Sequence, residues 1–286
     1  MTTVGYEMKD IAAEPGVSSE LRLPGLVITT DWLSDHLEHP ALRLLDVRDA
    51  VHFAEGHLPG AIHVDLQTLS STVAGVPGML LPPAAFAGQM ERLGIWRGVV
   101  VVAYDDNWGL AAARVLWALA RYGVPSASLL TGGWDRWKAE GRPISLEAVE
   151  LLSGAVSGAF VIQADESTIA SWSWLHAHLT DPEVVIVDVR GAKEFAEGHI
   201  PGAVHWDWLN AVPVGQWEAL RPDAELLADL YQAGITPDKE IVTYCRSGVR
   251  AAHTYWALRH LGYPRVRNYD GSWLEWQSML HLPIEY

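Results

Sequence analysis

Cysteine is almost absent from this chain: there is one, Cys245, in 286 residues. That excludes an internal disulfide framework and any metal site built from several thiolates. Long apolar runs are missing as well, so no membrane span or membrane partner is expected. The opening stretch MTTVGYEMKDIAAEPG lacks the basic-then-apolar order of a secretory signal, and cytoplasmic residence is the expectation. Positive charge is scarce. Twenty Lys and Arg face 35 Asp and Glu, a formal net charge of −15. No basic stripe offsets it, which disfavours nucleic-acid binding. An anionic substrate would therefore need local positive charge working against the global field. No carboxylate–histidine spacing reads as a metal site and no glycine loop as a nucleotide site, so neither metal nor bound cofactor is expected.

What is present is apolar and repetitive. Hydrophobic residues make up 49% and charged residues 19%, enough for a sizeable core, and the length suits two domains. Fourteen tryptophans point to bulky core and interface packing. LLDVRDAVHFAEGHLPGAIHVD (Leu44–Asp65) returns as IVDVRGAKEFAEGHIPGAVHWD (Ile186–Asp207). VVAYDDNWGLAAARVLWALARYG (Val101–Gly123) returns as IVTYCRSGVRAAHTYWALRHLG (Ile241–Gly262), and LLTGGWDRW (Leu129–Trp137) as VRNYDGSWLEW (Val266–Trp276). Two tandem copies of one unit follow. We place them at 24–145 and 159–286, joined through the poorly patterned Gly141–Gly158 with its helix-like EAVELL. Residues Met1–Leu23 read as a polar arm.

Within each copy, short unalternating apolar runs such as Leu42–Val47 and Gly98–Asp106 alternate with helix-like segments. These include Asp31–His39 behind a Thr cap, Leu81–Ile95 with proline near its start, and Leu110–Gly123 with a glycine stop. Buried strands alternating with helices mark an α/β fold: a mainly parallel sheet covered by helices on both faces, here in tandem.

The chemistry concentrates in Cys245–Arg250, CRSGVR, between the strand-like Glu240–Tyr244 and the helix-like Ala251–Gly262. A turn from a strand end into a helix start points backbone N–H groups inward and makes an anion-binding nest. A cysteine placed there favours its thiolate. Arg246 and Arg250 add positive charge beside it. In the first copy Tyr104-Asp105 stands where Tyr244-Cys245 stands in the second. A carboxylate repels anions and is no thiol nucleophile, so one half is read as working and the other as supporting. The bland alternative is that Cys245 is a small buried hydrophobe.

At this point the chain resembles the two-domain rhodanese family, the thiosulfate and 3-mercaptopyruvate sulfurtransferases. The likeness is carried by Asp188-Val189-Arg190, Glu197–Ala203 (EGHIPGA), Cys245–Arg250 and Tyr269–Trp273 (YDGSW), with echoes at Asp46-Val47-Arg48, Glu55–Ala61 and Gly132-Gly133-Trp134. It covers about residues 25–286. The resemblance implies a catalytic C-terminal domain with Cys245 as nucleophile and an inactive N-terminal domain. It implies a covalent persulfide on Cys245, loaded from a small anionic sulfur donor and unloaded by cyanide, a thiol or another nucleophile. The amides of Arg246, Ser247, Gly248, Val249 and Arg250 would stabilise the sulfur's charge, and the guanidinium groups of Arg246 and Arg250 would hold the donor. A monomer is expected. Arg246 favours thiosulfate, Ser247 looks like the mercaptopyruvate type, and Arg250 stands where threonine is usual. Glu194 takes the place of a substrate-binding arginine, so positive charge must come from the loop. Thiosulfate is the expected donor and 3-mercaptopyruvate the alternative.

Two further readings compete. Cysteine phosphatases of a related fold, and arsenate reductases, place arginine six positions after the cysteine, where Ala251 stands here. A non-enzymatic rhodanese-like module would commonly lack the cysteine. Supporting candidates are Asp188, Arg190, His199, Trp208 and Trp273. Asp188 and Arg190 recur as Asp46 and Arg48 in the half without cysteine, and His199 recurs as His57, which favours structural roles. His205 and His63 read as packing at the sheet edge. Trp208 and Trp273 suit either the mouth of the site or the core.

Overall fold

The computed structural model describes residues 21–96, 98–124, 126–147 and 160–286. Residues 1–20 of the leader reading Met1–Leu23 and most of the Gly141–Gly158 join, including all of EAVELL after Glu147, lie outside these residues, whereas Leu21 and Leu23 pack against the first-half core rather than forming part of a polar arm. In chain order the first half contains β1 (Val27–Ile28), α1 (Thr30–His36), β2 (Leu42–Asp46), α2 (Ala50–Glu55), β3 (Ala61–His63), β4 (Ser70–Val73), β5 (Val76–Leu80), α3 (Pro83–Arg92), β6 (Val100–Tyr104), α4 (Leu110–Arg121), β7 (Ala127–Leu130) and α5 (Gly133–Ala139). The second contains β8 (Ile169–Ala170), α6 (Trp172–Ala177), β9 (Val184–Asp188), α7 (Ala192–Ala196), β10 (Val204–His205), α8 (Asp223–Gln232), β11 (Glu240–Tyr244), α9 (Val249–His260), β12 (Val266–Tyr269) and α10 (Ser272–Ser278).

Each half forms a five-stranded sheet with every pair parallel. The orders β1-β7-β6-β2-β3 and β8-β12-β11-β9-β10 correspond strand for strand. Helix starts are fixed in the same way in both: Thr29 Oγ1 accepts from the Trp32 N–H (3.2 Å) and Ser171 Oγ from the Trp174 N–H (3.1 Å). Alternation along the central strands explains the unbroken apolar runs. Val101 and Ala103 of β6, and Ile241 of β11, face a core shared by the two halves. Val100, Val102 and Tyr104 face a separate core with Leu33 and Trp137, and Val242 and Tyr244 face its counterpart with Leu175 and Trp276. Cys245 belongs to the shared side. The helices that follow the central strands, α4 and α9, pack against each other at the centre of that core.

One element was not anticipated. β4 and β5 pair antiparallel as a hairpin, with Ala74 and Gly75 both at positive φ (49° and 85°) in its turn. It reaches from the first half to the Cys245 loop. A second departure lies in the repeat: Tyr104 to Gly109 is one residue longer than Tyr244 to Gly248, although both glycines cap their helices at nearly the same φ (80° and 81°).

Candidate active site

Cys245 follows the last residue of β11 and precedes α9. Gly248 gives the turn its left-handed step, leaving the first N–H groups of a 12-residue helix pointing back at the loop. Among the described residues, the backbone N–H groups of Arg246 through Arg250 have no protein acceptor. The cysteine's own backbone is tied to the turn after β12. Its N–H donates to Ser272 Oγ (3.2 Å), and its carbonyl accepts from the Trp273 N–H (3.0 Å). The Leu274 N–H reaches the Arg246 carbonyl (3.1 Å). Ser272 sits at φ 51° and donates to the Tyr269 carbonyl (2.8 Å). Cys245 is 1% exposed and lies beneath the loop that follows it. Arg246 is exposed, Ser247 and Val249 are half-buried, and Gly248 is buried.

The first half shows what this backbone turn binds. Asp105 occupies the cysteine's position and is fully enclosed. Its Oδ1 accepts from the N–H groups of Asn107 (2.8 Å) and Gly109 (2.8 Å), its Oδ2 from Ala111 (2.8 Å) and Ala112 (3.0 Å). Burial holds its carboxyl above the usual carboxylate range, against the opposing pull of these four bonds. The cradle of the first half is thus filled by its own carboxyl group. In the second half the side chain at that position is a sulfur.

Arg250 is not a free cation. It forms a fork with Glu194, Nη1 to Oε2 at 2.6 Å and Nη2 to Oε1 at 2.9 Å. The charge of Cys245 also acts on it. The hydrogen bond to Glu194 first, against burial, and then the charge of Cys245 hold its guanidinium well above the usual value. Glu194 is correspondingly held below the usual carboxylate range by Arg250. The sequence reading placed Glu194 where it could not bind donor but did not pair it with Arg250.

Asp188 and Arg190 form a buried knot: Nε to Oδ1 at 3.0 Å, Nη2 to Oδ2 at 2.6 Å, and Nη2 on to the Gly198 carbonyl at 2.8 Å. Asp46, Arg48 and Gly56 repeat it at 3.0, 2.5 and 2.7 Å. Burial, and then the Asp188 charge, raise the Tyr244 phenol well above its ordinary value. Trp273 lies under Arg190, with the guanidinium carbon 4.6 Å from the ring centroid. His199 stacks on Phe195 (3.7 Å) and places Nδ1 3.0 Å from the Phe195 carbonyl, while His57 repeats both contacts on Phe53. His205 and His63 cap the carbonyls of Arg190 and Arg48 at 2.8 and 2.9 Å. Trp208 is buried in the shared core, edge-on to His253. These contacts knit the EGH turn and sheet edge together; Trp273 alone is also bonded to the cysteine.

Sequence reading gave no role at the loop to three of its neighbours, although Asp270 lies in the YDGSW stretch that carries the likeness. Asp270, on the turn that holds Cys245, pairs with Arg114 of α4 (2.6 Å) and accepts from the Leu80 N–H of β5 (2.8 Å). Gly78 of the hairpin approaches Ser247; a Cβ built on it would stand 3.8 Å from the Ser247 Cβ. Arg114 had a legible signal, a lone charge inside LAAARVLWALAR, which requires a buried partner. Among the described residues no group of three or more His, Cys, Asp or Glu side chains could hold a metal ion, and no helix is long and apolar enough to cross a membrane.

A duplicated parallel α/β unit, with one cysteine at an amide-rich helix start in the second copy and a carboxylate in the first, defines a class of two-domain sulfur-handling proteins. The model of the rhodanese-like domain matches residues 29–140 and 171–279, and the chain belongs to that family, as a two-domain member related to thiosulfate and 3-mercaptopyruvate sulfurtransferases. It is 36% identical over 268 residues to a thiosulfate sulfurtransferase of Azotobacter vinelandii, covering 91% of this chain and 97% of the relative. It is 36% identical over 284 residues to the sulfur carrier protein TtuD of Thermus thermophilus, covering 91% and 96%. The crystal structure of SseA from Escherichia coli, a 3-mercaptopyruvate sulfotransferase, superposes with a TM-score of 0.78 at 31% identity, covering 87% of this chain and 99% of that one.

Proposed function

We propose that this sulfurtransferase takes the outer sulfur of thiosulfate onto Cys245 and passes it to a small thiophilic acceptor. The Cys245 thiolate attacks the sulfane sulfur, the S–S bond of the donor breaks, and sulfite leaves with the bonding pair. An acceptor such as cyanide then attacks the terminal sulfur of the persulfide, forms thiocyanate and returns the thiolate, giving ping-pong kinetics. The observation that carries the reading is Asp105. The turn that collects four N–H groups on a carboxylate in the first half carries a sulfur in the second, with the amides of 246–250 uncommitted. Each amide that follows the charge is worth roughly 1–3 kcal/mol.

Roles divide between the loop arginines. Arg250, held by Glu194 and facing the sulfur, balances the thiolate and persulfide. Arg246 is exposed and has no carboxylate partner among the described residues, which suits it to the donor's sulfonate end. Ser247, at the mouth beside Gly78, offers a hydroxyl donor. Asp188, Arg190, His199 and Trp208 support the scaffold, and Trp273 anchors the cysteine's carbonyl. A compact dianion suits this mouth better than a keto acid, which favours thiosulfate over 3-mercaptopyruvate. We place the reaction in the cytoplasm, where a lone thiol stays reduced.

The test is mass spectrometry of the thiosulfate-treated protein, with steady-state rates on thiosulfate and on 3-mercaptopyruvate using cyanide as acceptor. A gain of one sulfur on Cys245, its loss on adding cyanide, and no turnover by Cys245→Ser are expected. Turnover by Cys245→Ser, or no sulfur on Cys245, would sink the reading; faster turnover of 3-mercaptopyruvate would reassign the donor.

A further inference from the structure

The two halves meet in a pseudo-symmetric interface, and its two ends differ in charge. At the silent loop, His253 of α9 holds the Trp108 carbonyl through Nε2 (3.1 Å), and Thr131 Oγ1 accepts from the Ala219 N–H (3.0 Å). Burial lowers the His253 pKa to about 4, so His253 and Thr131 make neutral contacts here, and the charge at this end is carried by Asp105 and by the Arg136–Glu218 pair between the halves (3.1 Å). At the cysteine loop the equivalent positions are Arg114 and Asp270, each counted from its own loop glycine or strand end. Arg114 Nη1 stands 2.6 Å from Asp270 Oδ1, both side chains almost wholly buried, and Arg114 Nη2 donates to the Gly78 carbonyl (3.1 Å). The Leu80 N–H takes the other carboxylate oxygen at 2.8 Å. Where His253 and Thr131 make neutral hydrogen bonds at the first loop, Arg114 and Asp270 form an ion pair at the cysteine loop.

The pair sits against the cradle. A Cβ on Gly248 would lie 3.0 Å from Arg114 Nη1 and 3.0 Å from Asp270 Oδ1. The turn that carries Asp270 also binds Cys245 through Ser272 and Trp273, and Asn268 just before it donates to the Gly248 carbonyl (3.2 Å). A buried carboxylate this close to a thiolate opposes it unless a cation cancels the charge. The other charges packed around the loop and its anchoring turn are Arg246, the Arg250–Glu194 pair, the Asp188–Arg190 pair beneath Trp273, and Glu275, whose carboxyl faces Asp270.

We infer that Arg114, supplied by the half without a cysteine, is a positioning residue for Cys245: it cancels Asp270 beside the cradle and, with the Leu80 N–H, fixes the turn that holds the cysteine. This rests on the reading of Cys245 as nucleophile, but its test does not need a sulfur donor. The rate of Cys245 alkylation by iodoacetamide is measured against pH in the full chain, beside thiosulfate–cyanide kinetics.

Arg114→Met exposes the sulfur to an uncancelled carboxylate, and the alkylation midpoint is expected to rise by about one pH unit with kcat/KM down about tenfold. Asp270→Asn keeps an acceptor for Leu80 and leaves Arg114 uncancelled, so the midpoint is expected to fall. Arg114→Lys restores the charge without the guanidinium's second N–H to Gly78 and is expected to recover most of the midpoint shift. His253→Gln, at the other end of the interface, is expected to leave the midpoint in place. Opposite shifts in the first two variants support the inference. Unmoved midpoints, shifts in one direction, or an equal shift in His253→Gln overturn it. If Arg114→Met fails to fold, the direction of Asp270→Asn decides. A wild type that alkylates with these shifts yet never accepts sulfur from thiosulfate would sink the donor reading and leave the inference standing.

Discussion

The matched glycines at the two helix starts allow the cradle to be tested against its own copy. Gly248 and Gly109 have φ of 81° and 80°, so alanine at either forces an L-residue into the left-handed region, about 1–2 kcal/mol. Their surroundings differ. At Gly248 the new Cβ would meet the Asp270 carbonyl oxygen at 2.8 Å and the Arg114–Asp270 pair at 3.0 Å, groups locked by backbone and burial. Something in the turn that holds Cys245 must shift, adding about 1–3 kcal/mol. At Gly109 it would meet Leu129 Cδ1 and Cδ2 at 2.7 Å, the tip of a side chain that can rotate. Gly248→Ala should therefore cost about 2–5 kcal/mol and Gly109→Ala about 1–2, read from urea midpoints by tryptophan fluorescence. Under native conditions, where both stay folded, Gly248→Ala should lose at least tenfold in kcat/KM for thiosulfate, about 1.4 kcal/mol of transition-state stabilisation. Gly109→Ala should retain it. A folded Gly248→Ala with wild-type kinetics, or a matching loss in Gly109→Ala, would refute the claim that this turn sets the reactivity of the sulfur.

Asp188→Asn and Asp46→Asn each break a buried aspartate–arginine knot of the same geometry, and each should cost about 3–5 kcal/mol with near-equal shifts of the denaturation midpoint; a large difference would show that one knot does more than hold its turn. His253 is depressed to about 4 in the fold against 6.5 free, so the unfolded chain binds the proton first as pH falls. Its contribution is complete above pH 6.5 and drains away toward pH 4, about 3 kcal/mol in all, and His253→Gln should flatten the stability–pH curve in that window. Arg250→Thr strands Glu194 beside the loop and should lower kcat/KM for thiosulfate more than for 3-mercaptopyruvate; equal losses on both donors would remove Arg250 from donor choice.

The parallel sheets were legible because their strands are buried on both faces, so runs such as VVVAY carry no competing helical period. The cysteine loop was legible because strand, turn and helix signals meet within a few residues. The hairpin Ser70–Leu80 was not, since its strands are short, partly exposed, and turned by an Ala-Gly step rather than Asn-Gly. The partners of the loop were hidden for another reason. Glu194 meets Arg250, and Arg114 meets Asp270, only after the sheet and the two halves have assembled, and pattern along one strand or helix carries no record of such pairings. The role of Asp105 was read half correctly: it does no thiol chemistry, but it fills the anion nest rather than merely repelling what might enter.

That internal carboxylate makes the first nest self-sufficient. A vacated nest would leave several amides in a dry interior seeking any passing anion. By supplying the acceptor from its own chain, the first loop becomes a rivet between β6 and α4 and needs no solute to satisfy its amides.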